Sequence, residues 1–145
     1  MQVSDKIVVV TGGANGIGRA LCEAFHRAGA AKVVVADLDL ANAEAVAASI
    51  DGAAFQCEVG QEKDIRRLIE ETEARFGPIA LFCSNAGIGG GFDPLLENAG
   101  GSSDESWARS WAIHVTAHVY AARHLVPLMK ARGGGYFLKN ECGVR

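Results

Sequence analysis

The sequence has no excess of basic residues and no long apolar run. Its 14 lysines and arginines are outnumbered by 17 aspartates and glutamates, which gives a net charge of −3. Because no basic stripe is present, the sequence does not point to a nucleic acid or an anionic membrane as a partner. No apolar run approaches the roughly 18 residues of a membrane span. We therefore expect neither nucleic-acid binding nor membrane insertion.

Cysteine pairs at metal-binding or redox spacing are also missing. No C-x-x-C occurs, and the four cysteines lie far apart, at Cys22, Cys57, Cys83 and Cys142. Three of them fall inside predicted strands and helices, which favours buried free thiols in a reducing compartment. The first strand begins within a few residues of the start, so we expect no signal peptide. These features predict a cytoplasmic protein.

The length and composition indicate one globular domain over residues 1–145. Hydrophobic residues make up 49% of the chain and charged residues 21%, as is usual for a soluble domain. A domain of this size buries roughly two-thirds of the surface of its unfolded chain. No internal repeat or low-complexity segment competes with this interpretation.

A hydrophobic run that leads into a glycine-rich turn is the most informative stretch. Residues 7–10 read Ile-Val-Val-Val, as in a strand that is covered on both faces of a parallel sheet. Thr-Gly-x-x-x-Gly-x-Gly follows, and a helix is predicted over residues 17–28. The glycines allow a sharp turn and a close approach of a diphosphate, which the helix N-terminus also attracts. The alternative is a tight turn that binds nothing.

An acidic residue closes the second predicted strand, which covers residues 32–36. Asp37 follows Gly18 by 19 positions. A carboxylate at this place accepts hydrogen bonds from a ribose 2′-hydroxyl and repels a 2′-phosphate. Asn15 and Leu38 are uncharged and offer nothing to a phosphate. The pattern predicts NAD rather than NADP, the alternative being an acidic residue that only caps the next helix.

Strands and helices alternate along the rest of the chain. Further helices are predicted at residues 40–50, 61–76 and about 103–131, the last opened by the capping signal Ser102-x-x-Glu105. Further strands are predicted at residues 53–59, 79–83 and 136–138. The alternation predicts an α/β fold: a doubly wound parallel sheet of about five strands in the order 3-2-1-4-5, in three α/β/α layers.

The long helix carries one apolar stripe at steps of three and four. Its members are Trp107, Trp111, Val115, Val119, Ala122, Val126 and Met129. We interpret the stripe as core or as a subunit interface, which makes a homo-oligomer through residues 103–131 one prediction. Pro127 is expected to kink this helix.

Small residues follow the fourth strand in the motif Ser84-Asn85-Ala86-Gly87. They let the strand tip approach the ribose of a cofactor, and Asn85 can bridge strand backbones. The alternative is a plain strand-to-loop turn. The glycine-rich residues 89–101 read either as a substrate-side loop or as a loop without a role.

In order and spacing, these motifs resemble the cofactor-binding part of the short-chain dehydrogenase/reductase family, over about residues 6–138. The resemblance implies a Rossmann-type fold and hydride transfer between NAD(H) and an alcohol or carbonyl substrate. Glu58-Val59 stands where the family has Asp-Val beside the adenine, and Ser84 stands where the family has Asn. The implied cofactor-binding residues are Gly12, Asn15, Gly16, Ile17, Gly18, Asp37, Leu38, Glu58, Val59, Asn85, Ala86 and Gly87.

The catalytic residues that the resemblance implies have no counterpart in these 145 residues. They are a Ser and a Tyr-x-x-x-Lys after the fifth strand, before which the chain ends, and an Asn on the long helix, where His114 stands. Tyr136 and Lys139 are three apart on a predicted strand and do not replace the Tyr-x-x-x-Lys. We therefore expect a sheet that is incomplete on its C-terminal side and a chain that is inactive alone.

Three functional hypotheses follow from these residues. The first is an inactive cofactor-binding portion of an NAD-dependent oxidoreductase, and the second is a non-catalytic NAD-binding or protein-interaction module. The third is a poorly folded chain without a function. His114 and His118, four apart on a helix, have the spacing of some zinc ligands, but with no third ligand in sight we predict a surface or interface pair and no metal.

Overall fold

The fold of residues 2–89 and 103–140 is described by a computed structural model. Five strands form one parallel sheet in the order β3-β2-β1-β4-β5, which confirms the predicted order. The elements are β1 (Ile7–Thr11), α1 (Gly16–Arg27), β2 (Lys32–Asp37), α2 (Leu40–Ser49), β3 (Ala53–Gln56), α3 (Glu62–Phe76), β4 (Ile79–Ser84), α4 (Asp104–Trp111), a π-helical segment (Ala112–Thr116), α5 (Ala117–Ala131) and β5 (Tyr136–Lys139).

The sheet is covered by helices on both faces. Val8, Val9 and Val10 of β1 have no exposed surface. Because successive residues of a strand point to opposite faces, Val9 joins the core beneath α3 and α5, whereas Val8 and Val10 join the core beneath α1 and α2. This double burial explains why the strand sequence is apolar at every position.

The third strand is shorter than predicted. It ends at Gln56 rather than at position 59, because the backbone N–H of Glu58 donates to the Asp64 carboxylate, 3.1 Å away, instead of to a neighbouring strand. The residues after β3 thus turn to meet the first turn of α3. Glu58 and Val59 lie in this turn and not on the strand.

The long helix differs from its prediction in two respects. Its N-cap is Ser103, whose hydroxyl accepts the N–H of Ser106 at 3.2 Å, whereas the predicted cap, Ser102, lies outside the described residues. Its helical turns also widen into a π-helical segment between α4 and α5. There the Thr116 hydroxyl donates to the Trp111 carbonyl, five residues back, at 3.2 Å.

The predicted apolar stripe on this helix is not the face that the core buries. Within α5 the buried residues are Ala117, Ala121, Leu125 and Met129, which pack over α3 and β4. Of the stripe residues, only Met129 is buried in the core. Ala122 and Val126 are half-buried and the other four are exposed, so the subunit-interface alternative stays a prediction for them. Ala117 and Ala121 allow the helix to lie close to its neighbours, and Leu125 and Met129 fill the core further along the same face.

Three cysteines are free and buried, as predicted, and Cys142 lies outside the described residues. Cys22, Cys57 and Cys83 are at most 2% exposed. Burial penalises the charged thiolate and raises the pKa of each of these thiols to about 12. None of the helices within residues 2–89 and 103–140 combines the length and apolarity that a bilayer crossing requires.

These thiols should be inert in the folded chain. At pH 8 a thiol with a pKa of about 12 is ionised only about once in 10⁴ molecules, so a Cys142→Ser variant should show no reactive thiol with an aromatic disulfide reagent. In urea the same variant should show three. Because the folded pKa is raised, the free energy of unfolding should be unaffected below about pH 8.5 and should fall above it. Fast labelling of the folded variant at pH 8 would contradict this burial.

Candidate functional site

The turn between β1 and α1 requires glycine at two positions. A Cβ added at Gly18 would overlap the carbonyl oxygen of Gly12 and lie 2.7 Å from the Asn85 amide nitrogen. Gly12 has φ +66°, which disfavours side chains, and a Cβ there would lie 2.7 Å from the Ala86 Cα. The backbone of this turn is thus pressed against both α1 and the segment after β4.

The N-terminus of α1 leaves its first backbone N–H groups open. The N-cap residue Asn15 is exposed, and its side chain makes no capping hydrogen bond. The first four N–H groups of a helix have no partner within the helix, and together with the helix dipole they attract an anion. No basic side chain is needed for such an anion site.

The Asp37 carboxylate joins the glycine turn to the end of β2. One of its oxygens accepts the N–H of Ala14 at 3.0 Å, and the other accepts the N–H of Asp39 at 3.1 Å. The alternative prediction, that Asp37 caps α2, is wrong because Asp39 is the cap, with its carboxylate accepting the N–H of Asn42 at 3.1 Å. Asp37 is therefore held in place at the strand end, next to the exposed Leu38.

The ends of β1 and β4 are linked by Thr11 and Asn85. The buried Thr11 hydroxyl accepts the N–H groups of Asn85 and Ala86 at 3.0 and 3.1 Å, and it lies 3.4 Å from the Cys83 carbonyl, to which it donates. The Asn85 amide donates to the Thr11 carbonyl at 3.1 Å and accepts from the Asn140 amide at 2.9 Å. Asn85 thus joins the end of β4 to the β1 backbone, as predicted, and its side chain also contacts the side chain of Asn140, the residue after β5.

Two histidines of the long helix contact β4 and the segment that follows it. His114 Nε2 lies 2.9 Å from the Ile88 carbonyl oxygen and 3.3 Å from the Ile88 backbone nitrogen. When protonated, Nε2 donates to the carbonyl; when unprotonated, it accepts from the N–H. Gly87 lies so close that a Cβ there would be 2.9 Å from His114 Cε1. His118 Nδ1 is 2.5 Å from the Ser84 hydroxyl. Across the described ranges, no three metal-ligating side chains come together.

One cavity of about 670 Å³ brings the predicted site residues together. All twelve predicted cofactor-binding residues line it, and so does His114. The cavity crosses the boundary between β1 and β4, where the strand order reverses, which is where open α/β sheets bind ligands. Its volume is within the usual range for small-molecule sites.

Several lining residues were not predicted from the sequence. They are Cys57, Gly60, Gln61, Ile88, Gly89, Arg109, Ala112, Ile113 and Asn140. Asn140 directly follows β5, so the rule that ligands bind beyond the carboxyl ends of strands offered a signal for it. Arg109 had no such signal, because only the packing of α4 brings it to the cavity. Of the predicted loop at residues 89–101, all but Gly89 lies outside the described residues.

Comparisons with known proteins agree with this fold. The family model described as short chain dehydrogenase matches residues 6–138. A 2,5-dichloro-2,5-cyclohexadiene-1,4-diol dehydrogenase of Sphingobium indicum is 37% identical over 145 residues, which cover 99% of this chain and 56% of that protein. A sorbitol dehydrogenase of Cereibacter sphaeroides is 35% identical over 139 residues, covering 93% and 51% of the two chains.

A solved structure shares the same architecture. It is a putative short-chain dehydrogenase from Novosphingobium aromaticivorans, with a TM-score of 0.83 and 27% identity, over 95% of this chain and 52% of that one. The chain thus spans about half the length of the relatives that it matches. With the matched family model covering nearly all of its residues, the chain belongs to the short chain dehydrogenase family.

Proposed function

We propose that this chain is the NAD-binding portion of a dehydrogenase that transfers hydride between NAD(H) and an alcohol or carbonyl substrate. Membership of the family supports a dehydrogenase or reductase function. The observation that carries the proposal is the cavity across the β1–β4 boundary, which gathers the glycine turn, Asp37 and the Asn85 segment. The names of the two relatives above denote alcohol substrates and support this substrate class.

The residues of the cavity fit a dinucleotide. The glycine turn and the open N–H groups of α1 suit the diphosphate, because Gly12, Gly16 and Gly18 line the cavity and no acidic residue lies in the first helical turn. Asp37 suits the adenosine ribose, and Glu58 with Val59 suits the adenine. Asn85, on the far side of the strand-order reversal, suits the nicotinamide half.

The bound nicotinamide would supply the carbon that accepts or donates the hydride. The residues of this chain would bind and orient the dinucleotide. Asn85 and Asn140, joined by a 2.9 Å hydrogen bond, would line the part of the cavity that receives the nicotinamide half. His114 positions the Ile88 backbone beside them. No Tyr-x-x-x-Lys occurs within the 145 residues, so these residues alone should bind the cofactor without oxidising an alcohol.

Preference for NAD over NADP rests on the Asp37 carboxylate. With NADH at about a hundred times its dissociation constant, the free energy of unfolding should rise by about 2.7 kcal/mol and the melting temperature by several degrees. NADPH at the same concentration should raise the melting temperature less, because the Asp37 carboxylate repels its 2′-phosphate. Asp37→Asn keeps an acceptor oxygen, removes the charge and should narrow the difference between the two cofactors in a thermal scan.

Asp39→Asn is the matched control for this scan. It removes a charge two residues away, outside the cavity lining, and asparagine caps a helix as well as aspartate does. The control should keep the wild-type difference between NADH and NADPH. Equal shifts with the two cofactors in the wild-type chain would contradict the NAD preference, and no shift with either would contradict cofactor binding.

An interaction role is the second candidate, favoured by one exposed surface. We name it the tryptophan face; its residues Trp107, Trp111, Val115 and Val119 are 56%, 64%, 36% and 46% exposed. Trp107 and Trp111 are one turn apart on α4, and Val115 and Val119 follow along the same helix, within and after the π-helical segment. Exposed large apolar side chains gathered along one helix are typical of protein–protein contacts. We propose a second copy of this chain as the partner.

A cytoplasmic location stays a prediction.

Sedimentation velocity tests this second candidate. The wild-type chain should sediment as a dimer at tens of micromolar, and a Trp107→Gln, Trp111→Gln double variant should sediment as a monomer. Leu128→Gln is the control, since Leu128 is 42% exposed but is not part of the tryptophan face. A wild-type chain that stays monomeric at 100 μM, on the order of the weak-dimer range, would contradict the proposal.

A further inference from the structure

Arg109 is a charged residue of the cavity to which the proposed function gives no role. Among the described residues that line it, Asp37 and Glu58 are acidic, and Arg109 is the sole lysine or arginine. Arg109 is exposed and forms no ion pair with any residue in ranges 2–89 and 103–140. Its guanidinium therefore has no partner within the described protein that would hold it away from a ligand.

The packing of the helix locates Arg109 at one end of the cavity. Arg109 precedes Ala112 and Ile113 by three and four residues, so the three share a helix face. That face lies against Gly60, where an added Cβ would be 3.5 Å from Ala112 Cβ and 3.9 Å from Ile113 Cγ1. Gly60 belongs to the turn after β3 that also holds Glu58. Arg109 thus reaches the β3 end of the cavity.

This end is the place of the adenine in the proposed dinucleotide complex, on which the inference rests. The glycine turn and the N-terminus of α1, which also line the cavity, already suit the diphosphate. A guanidinium is planar and weakly hydrated, and it stacks on aromatic faces. The adenine is the aromatic plane that the β3 end would receive.

We propose that Arg109 is an adenine-binding residue that stacks on the base from the helix side and makes the site selective for a purine dinucleotide. The α4 helix supplies the residue, and the widened turns after it place Ala112 and Ile113 against the β3 turn. Arg109 would close the cavity over the base while Glu58 and Val59 line its opposite edge.

The test compares two reduced dinucleotides that carry the same diphosphate but different bases. NADH has a purine, and reduced nicotinamide cytosine dinucleotide has a smaller pyrimidine. Calorimetric titration of Arg109→Met should weaken NADH binding about five- to twentyfold, in line with a desolvated cation–π contact. The cytosine dinucleotide should lose less than threefold. Arg109→Lys, which keeps the charge but not the plane, should also weaken NADH binding.

Arg66→Met is the matched control, because Arg66 is an exposed arginine of α3 outside the cavity lining. It should leave both affinities unchanged. Equal losses of both dinucleotides in Arg109→Met would assign the residue to the diphosphate and overturn the adenine contact, as would full NADH binding by Arg109→Met or Arg109→Lys. A wild-type chain that binds neither dinucleotide would instead overturn the proposed function, and this inference with it.

Discussion

The hydrogen-bonded link between Thr11 and Asn85 fixes the position of everything else in the site. A single buried hydroxyl accepts two backbone N–H groups from the segment after β4, and the Asn85 amide returns a bond to the β1 backbone. Because parallel strands end at the same edge of a sheet, this link joins the two halves of the cavity. Loss of the hydroxyl would leave two partly buried N–H groups without an acceptor, at a cost of at most about 1–3 kcal/mol each.

Close approach of backbones is the second constraint, and it follows from the first. With β1 and β4 tied together at their ends, the Gly12 turn lies against Ala86, and only a residue without a Cβ fits. The same crowding at Gly18 brings the first turn of α1 onto the glycine turn. The open N–H groups of α1 therefore face the cavity because of packing, and the anion site needs no lysine or arginine of its own.

Most of the fold could be predicted from the sequence, since the buried strands are apolar at every position and the turns are marked by glycine. The twelve predicted site residues lie in motifs at strand ends, where local sequence and topology point to the same edge of the sheet. Arg109 and the buried face of α5 could not be predicted in this way. Both depend on how a helix packs. The apolar periodicity selected the face that carries the tryptophans, not the face whose alanines allow close contact.

The π-helical segment is a second feature of this helix that the periodicity did not predict. Its wider turns change the angular spacing of side chains between α4 and α5. There the Thr116 hydroxyl donates to the Trp111 carbonyl, five residues back, and no pattern in the sequence predicted this bond. The same segment carries His114 to the Ile88 backbone, so the irregular part of the helix is also the part that borders the cavity.

The most direct test is hydrogen–deuterium exchange of the wild-type chain with and without NADH. If the two halves of the cavity are joined as described, NADH should slow exchange both at residues 14–18 and at residues 85–87. The outer helix α2, which contributes no residue to the cavity lining, should exchange as before. Unchanged exchange at both segments, or protection confined to the tryptophan face, would contradict the claim that this chain forms a dinucleotide site.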